Sequence, residues 1–191
     1  MITSIAVKLS DHLTVQVSEL LAPWATQLGD DRVAYTNHVV RVLLLADELH
    51  KVAGERGIRP SERTEFLVAG VFHDLGSWSD DTFDYLVPSI DLARDWLDAH
   101  DQSEFLPLVS EMIEQHHKLR AAGDPHDPIE IFRRADTIEM VLGARRFGVP
   151  FGKWRSIRKA YPDRGFHRRL VQLSARRLVQ HPTSPLPMFK W

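Results

Sequence analysis

Adjacent His73 and Asp74 close an apolar run of helix length, Phe66 to Phe72, and Gly76 follows at once. An imidazole and a carboxylate side by side can serve one metal ion. Neighbours on a helix point about 100° apart, so the pair converges most easily where a helix is ending. Gly76 suits that place, since glycine is common just past a helix C-terminus. A carboxylate placed after so apolar a segment calls for a partner, because burying it unpaired is expensive. Three further polar residues sit on apolar helix faces. His38 shares its face with Ala34, Val42 and Leu45, His116 with Val109, Met112 and Ile113, and Asp136 with Ile129, Phe132 and Met140. A lone buried histidine is most often a hydrogen-bonded core residue. Several imidazoles and carboxylates on separate helices are better explained together, as the donor set of a catalytic metal in a helical core. The chain has no cysteine, so any such metal must be held by nitrogen and oxygen.

The elements that must position these residues read as helices nearly throughout. Val15, Leu20, Leu21 and Trp24 mark a first amphipathic helix closed near Gly29. Asp30 or Asp31 caps a second helix, which runs to about Gly54 and carries His38. Ser61, after Pro60, opens a third that ends in the His-Asp pair, followed by a loop at 77–81. Pro88 is an early residue of a fourth helix ending near His100. Ser103 caps a fifth, ending near His117. Asp127, Pro128 and Glu130 are cap, first position and capping-box acid of a sixth, which carries Asp136 to about Leu142. Gly143 to Gly152 is a break, a basic helical hairpin interrupted at Tyr161-Pro162-Asp163 follows, and the proline-rich tail 181–191 is not regular helix. With no sustained alternation, repeat or low-complexity tract, the expectation is an all-α chain, one domain over 1–191.

The 191 residues suffice for one full core, and 43% hydrophobic with 26% charged residues is ordinary for a soluble domain. No run of eighteen apolar residues suggests a membrane span, and the N-terminal stretch lacks the features of a cleaved leader, so a cytoplasmic protein is expected. The net charge of −2 hides an asymmetry: residues 1–140 hold 12 Lys and Arg against 25 Asp and Glu, whereas residues 141–191 hold 12 against the lone Asp163. Two oppositely charged faces attracting within one globule account for this. A basic wall for an anionic substrate or nucleic acid is the sharper alternative, and the spacing of the cations at helix-surface intervals favours the first.

In order, His38, His73-Asp74 and Asp136 resemble the H…HD…D signature of the HD-domain superfamily of metal-dependent phosphohydrolases, over residues of about 32 to 142. The neighbouring Asn37-His38-Val39-Val40-Arg41-Val42, Phe72-His73-Asp74-Leu75-Gly76 and Arg134-Ala135-Asp136 agree with it. The resemblance implies an HD-type helical bundle, with 143–191 as a basic helical extension. It implies His38, His73, Asp74 and Asp136 as ligands of one divalent ion, Mn²⁺, Fe²⁺, Co²⁺, Ni²⁺ or Mg²⁺, with Asp74 also orienting the water that the ion activates. Ile113-Glu114-Gln115-His116-His117 resembles the segment that supplies an extra histidine, and His116, on the more apolar face, is the expected one, as part of a second ligand set, a substrate contact or a proton shuttle that serves as general acid. Arg41, His117, Lys118 and Arg145 are candidates for contacting phosphate oxygens. Ser77 stands where many members have Lys or Glu, and Ser89 where two-metal members have a further histidine, which disfavours a two-metal oxygenase. The implied function is hydrolysis of a phosphomonoester or nucleotide, a small anionic substrate. The alternatives are a cyanamide-hydratase-like reaction on a small non-phosphate substrate and, third, a non-catalytic module binding anions or nucleic acid through the basic region.

Overall fold

Arg32–Val52 (α2) is buried on almost every side, from Tyr35 and Val39 to Leu43, Leu45 and Leu49, with polar His38, Arg41 and Asp47 buried among them, and a helix buried all round belongs in the middle of a bundle. The computed structural model describes residues 12–80 and 84–180. Around α2 lie residues 12–20 (α1), Thr64–Phe72 (α3), Leu86–Ala99 (α4), Leu106–Gln115 (α5), Pro128–Met140 (α6), Phe151–Ala160 (α7) and Phe166–Gln180 (α8). There is no strand among the described residues, and the fold is all-α. The most extensive packing is between α2 and α6; α3 lies on α2, α5 joins α3, α4 and α6, and α7 packs on α2. One apolar core runs from Leu13 to Val149 and Phe166, so the basic extension shares the core of the preceding helices. No helix among the described residues is long and apolar enough to cross a membrane.

Several helix ends differ from the sequence expectation because side chains bond across the fold rather than locally. Asp31 precedes α2 without capping it; its Oδ2 accepts from the Trp78 indole at 3.1 Å and lies 3.3 Å from Arg169 Nε. Ser61 sits in a 3-10 turn, Pro60–Glu62, and gives its N–H and hydroxyl to buried Asp47 (2.9 and 2.7 Å), so α3 starts later, at Thr64. Ser103 bonds Asp98 at 2.5 Å ahead of α5. Asp127 does cap α6, accepting from the Ile129 N–H at 2.8 Å, whereas Glu130 spends its carboxylate on the Ala122 N–H, Arg133 and Arg134 rather than closing a capping box. The tail 181–191 lies outside the described residues.

Gly76 is not the glycine beyond a helix end that the spacing suggests. It opens a helical turn of its own, Gly76–Ser79, without a positive φ. A Cβ there would lie 2.5 Å from the Tyr85 carbonyl oxygen and 3.0 Å from the Ser89 nitrogen, and the Gly76 N–H donates to Ser89 Oγ at 3.0 Å. Glycine is therefore required for the close approach of α4. Gly76→Ala is expected to cost about 1–3 kcal/mol, the range for overpacking a tight interior, read as a lower urea midpoint; an unchanged midpoint would show that α4 can move aside. Gly143 has φ +74 and ends α6, its N–H returning to the Ile138 carbonyl at 2.8 Å.

Candidate metal centre

Four helices deliver the sequence-expected ligands to one buried point. His38 projects from the middle of α2 and Asp136 from α6. His73 caps the C-terminus of α3, with Asp74 in the turn after it, and His116 caps the C-terminus of α5. Two helices thus end at the cluster, and the partial negative charge of their last carbonyls favours a cation. Those carbonyls also orient the rings. His73 Nδ1–H donates to the Gly70 oxygen at 2.8 Å, and His116 Nδ1–H to the Ile113 oxygen at 2.5 Å, which leaves each Nε2 with a lone pair turned inward.

His73 Nε2 meets His38 Nε2 at 3.1 Å. Around them stand Asp74 Oδ2, 3.5 Å from His73 and 3.8 Å from His38, and Asp136 Oδ1, 3.8 Å from both. All four residues are essentially inaccessible to solvent. The other carboxylate oxygens face the α5 histidines: Asp74 Oδ1 lies 3.4 Å from His116 Nε2 and Asp136 Oδ2 3.7 Å from His117 Nδ1. Among the described residues Asp74 Oδ1, both oxygens of Asp136 and His116 Nε2 have no hydrogen-bond partner, although buried polar groups are nearly always paired. Three overlapping groups, His38/His73/Asp136, His73/Asp74/His116 and His116/His117/Asp136, each bring one ligand atom per residue within 4.8 Å of the others. Converging lone pairs, unpaired carboxylate oxygens and helix C-termini fit a divalent ion held by nitrogen and oxygen.

The electrostatics agree with that donor set. Burial holds His38, His73 and His117 below the usual imidazole value, His73 at about 3, so the rings are neutral. Burial lifts Asp136 to about 8, with the charges of Asp74 and Glu139 adding to it. His116 resists the effect of burial through Asp74 and Asp136 and is raised. In the metal-free protein Asp136 stabilises the fold while protonated. That contribution is complete below its ordinary value near 3.8 and is lost as the pH rises through about 8. His73 acts oppositely, with full stability above 6.5 and loss as the pH falls towards about 3. The two offset each other between about pH 4 and 6.5. Above pH 6.5 Asp136 remains, reinforced by His116, so chelator-treated protein should lose about 2 kcal/mol between pH 6.5 and 8. Urea titrations at the two pH values test this, and added Mn²⁺ should remove the slope. A metal-free stability that is flat or rises over that interval contradicts the assignment.

The remaining sequence candidates are placed less uniformly. His117 joins the cluster, with its Nε2 2.6 Å from the Tyr85 hydroxyl. Ser77 and Ser89 are buried, Ser89 as the acceptor for Gly76. Arg41 differs from the expected phosphate contact. It is fully buried, with Nε and one terminal nitrogen on Glu139 (2.8 and 2.5 Å) and the other on the carbonyls of Tyr161 and Pro162 (2.9 and 3.2 Å). Lys118 is half-buried and lends its carbonyl to Arg133 at 3.0 Å. Arg145 is exposed, its guanidinium 4.4 Å from the centre of the Phe147 ring. Among the described residues no hydrogen bond or ion pair ties the Lys118 or Arg145 side chain to the cluster. Sequence reasoning missed three neighbours: Tyr85; Phe166, stacked on His38 at 3.9 Å between ring centroids and 14°; and Glu139. Only Glu139 carried a local signal, one turn beyond Asp136 on the same helix. Compared with protein-family models, curated proteins and solved structures, the chain matches none.

Proposed function

We propose that this chain is a divalent-metal-dependent hydrolase of the HD-domain type, acting on a phosphomonoester or nucleotide. The observation that carries the metal-dependent part is the meeting of two Nε2 nitrogens 3.1 Å apart between two buried carboxylates, since a shared cation compensates the burial of both carboxylates. The phosphate class rests on the H…HD…D resemblance. His38, His73, Asp74 and Asp136 would hold the ion, which supplies Lewis acidity that acidifies water and polarises the substrate. Asp74, with one oxygen turned to His116, is placed to orient the attacking water. His116, kept protonated more readily than a free imidazole, is placed to give a proton to the leaving oxygen. Tyr85 and His117, in contact with each other at 2.6 Å beside Asp136, would offer substrate hydroxyls hydrogen-bonding groups rather than hydrocarbon.

Two observations support variants of this reading. Each carboxylate divides its oxygens between the His38/His73 side and the His116/His117 side, an arrangement that also suits two ions. Arg41 and Arg133 are tied to Glu139 and Glu130, so a small neutral substrate of the cyanamide type fits a cluster without a committed phosphate cation. A nucleic-acid role for the basic extension has less support, since Arg158 and Arg169 face Glu139 and Asp31 within the globule.

Metal analysis of the purified protein, followed by Mn²⁺-, Fe²⁺- and Ni²⁺-supplemented assays on p-nitrophenyl phosphate, nucleoside monophosphates and cyanamide, tests these readings. About one ion per chain with phosphate release is expected, and two would support the two-ion variant. Metal binding with turnover of cyanamide alone would move the assignment to the hydratase type. No metal under any supplement would overturn it.

A further inference from the structure

Behind His38, away from the cluster, a second set of buried charges has no explanation in the ligand set itself. Among the described residues His38 Nδ1 has no hydrogen-bond partner, and neither has Glu139 Oε2, although both atoms are buried. Glu139 Oε1 lies 3.8 Å from that Nδ1, with both side chains fully inaccessible. Arg41 clamps Glu139 through two nitrogens, and Arg158 approaches Oε2 at 3.7 Å. The two Arg41 bonds to Oε1 suit Glu139 as a carboxylate. Glu139, Asp163 and His167 could be read as a separate cation site. Arg41 already fills it, with a terminal nitrogen 2.5 Å from Glu139 and 4.0 Å from Asp163, and His167 bonds Asp163 directly.

A histidine that ligates a metal through one ring nitrogen almost always donates from the other, and a carboxylate acceptor fixes the ring and raises its basicity. His73 and His116 use backbone carbonyls for this purpose. For His38 Nδ1, among the described residues, the carboxylate within ion-pair distance is that of Glu139, at 3.8 Å. We infer that Glu139 is a positioning residue of the metal centre: its carboxylate, held by Arg41, accepts the His38 Nδ1–H and keeps the Nε2 lone pair on the ion. The inference rests on the metal-centre reading above. It also gives the C-terminal region a part in the site. Arg41 reaches Glu139 while its remaining nitrogen is bound to the carbonyls of the 161–162 turn, and Phe166, just past that turn, lies flat on the His38 ring.

The test is Mn²⁺ affinity, measured by competition with a chelator, for Glu139→Gln and for the double variant Arg41→Met with Glu139→Met. The double variant guards against misfolding, because replacing both members of a buried ion pair by apolar side chains is often neutral, whereas removing one is not. Both are expected to raise the Mn²⁺ dissociation constant about 10–100-fold, while His73→Ala abolishes binding. Normal affinity in the Glu139 variants with loss in His73→Ala would overturn this inference and leave the metal centre standing. Unchanged binding in His73→Ala would overturn the metal centre and this inference with it. A purely structural role is separated by ¹⁵N NMR of the zinc-loaded protein. The His38 Nδ1 should carry a hydrogen-bonded proton whose resonance moves upfield in Glu139→Gln. A proton missing from Nδ1 in the zinc-loaded wild type would overturn the inference.

Discussion

On the proposed reading, Asp136→Asn is expected to abolish metal retention and any metal-dependent turnover while making the metal-free protein more stable at pH 8. Asp136 is nearly inaccessible, and among the described residues neither of its oxygens has a hydrogen-bond partner. In the absence of a cation its charge is opposed by burial and by the charges of Asp74 and Glu139, which together push it up to about 8. Asparagine has the same shape without that cost, so the chelator-treated variant should gain about 2 kcal/mol at pH 8, near 5 °C in midpoint for a chain of this size. Function moves the other way. Losing an outer partner of a ligand already lowers metal affinity about 10–100-fold, and losing a ligand should exceed that. Dialysis followed by metal analysis, beside thermal melts with chelator, reads both effects. A structural Asp136 would lose stability and leave metal content alone, and that pair of results would end the ligand assignment.

The second large effect is expected from Arg41→Ala, as a loss of about 3–5 kcal/mol, the range for breaking a buried ion pair by removing one partner. Glu139 would be left fully buried, with Arg158 at 3.7 Å and the neutral His38 ring at 3.8 Å, and the carbonyls of Tyr161 and Pro162 would lose their Arg41 donor. Domains are stable by about 5–15 kcal/mol, so the variant should unfold at much lower urea and be cut more readily by protease between α7 and α8. A phosphate-contacting Arg41, as the sequence suggests, would instead leave the urea midpoint within about 1 kcal/mol of wild type and raise KM. The two roles therefore separate on stability, before any substrate is known.

Differences between sequence expectation and structure cluster where a side chain has more than one place to go. Ser61, Ser103 and Glu130 all stand at positions that favour helix capping, and all three bond elsewhere, because Asp47, Asp98 and the Arg133/Arg134 pair offer stronger partners. Gly76 has the right residue type at the expected place for a different reason, the approach of Tyr85 and Ser89. Arg41 lies one turn from His38 on the same helix, which makes a substrate contact plausible until Glu139 is seen across the α2–α6 interface.

The helical class and the inward direction of His38, His73, His116 and Asp136 were legible in the sequence, because both follow from a local 3.6-residue period in which apolar neighbours mark the buried face. That period says which way a side chain points along its own helix and nothing about what it meets. The His38–His73 contact joins residues 35 apart, Tyr85–His117 spans 32 and Arg41–Glu139 spans 98. Such pairings depend on how α2, α3, α5 and α6 pack, which is set by the summed fit of the whole core. Only the tertiary structure turned Arg41 from an expected substrate contact into the clamp on Glu139, and brought Phe166 from the basic extension onto a ligand ring. Charge pairing across that interface has no local sequence period to announce it.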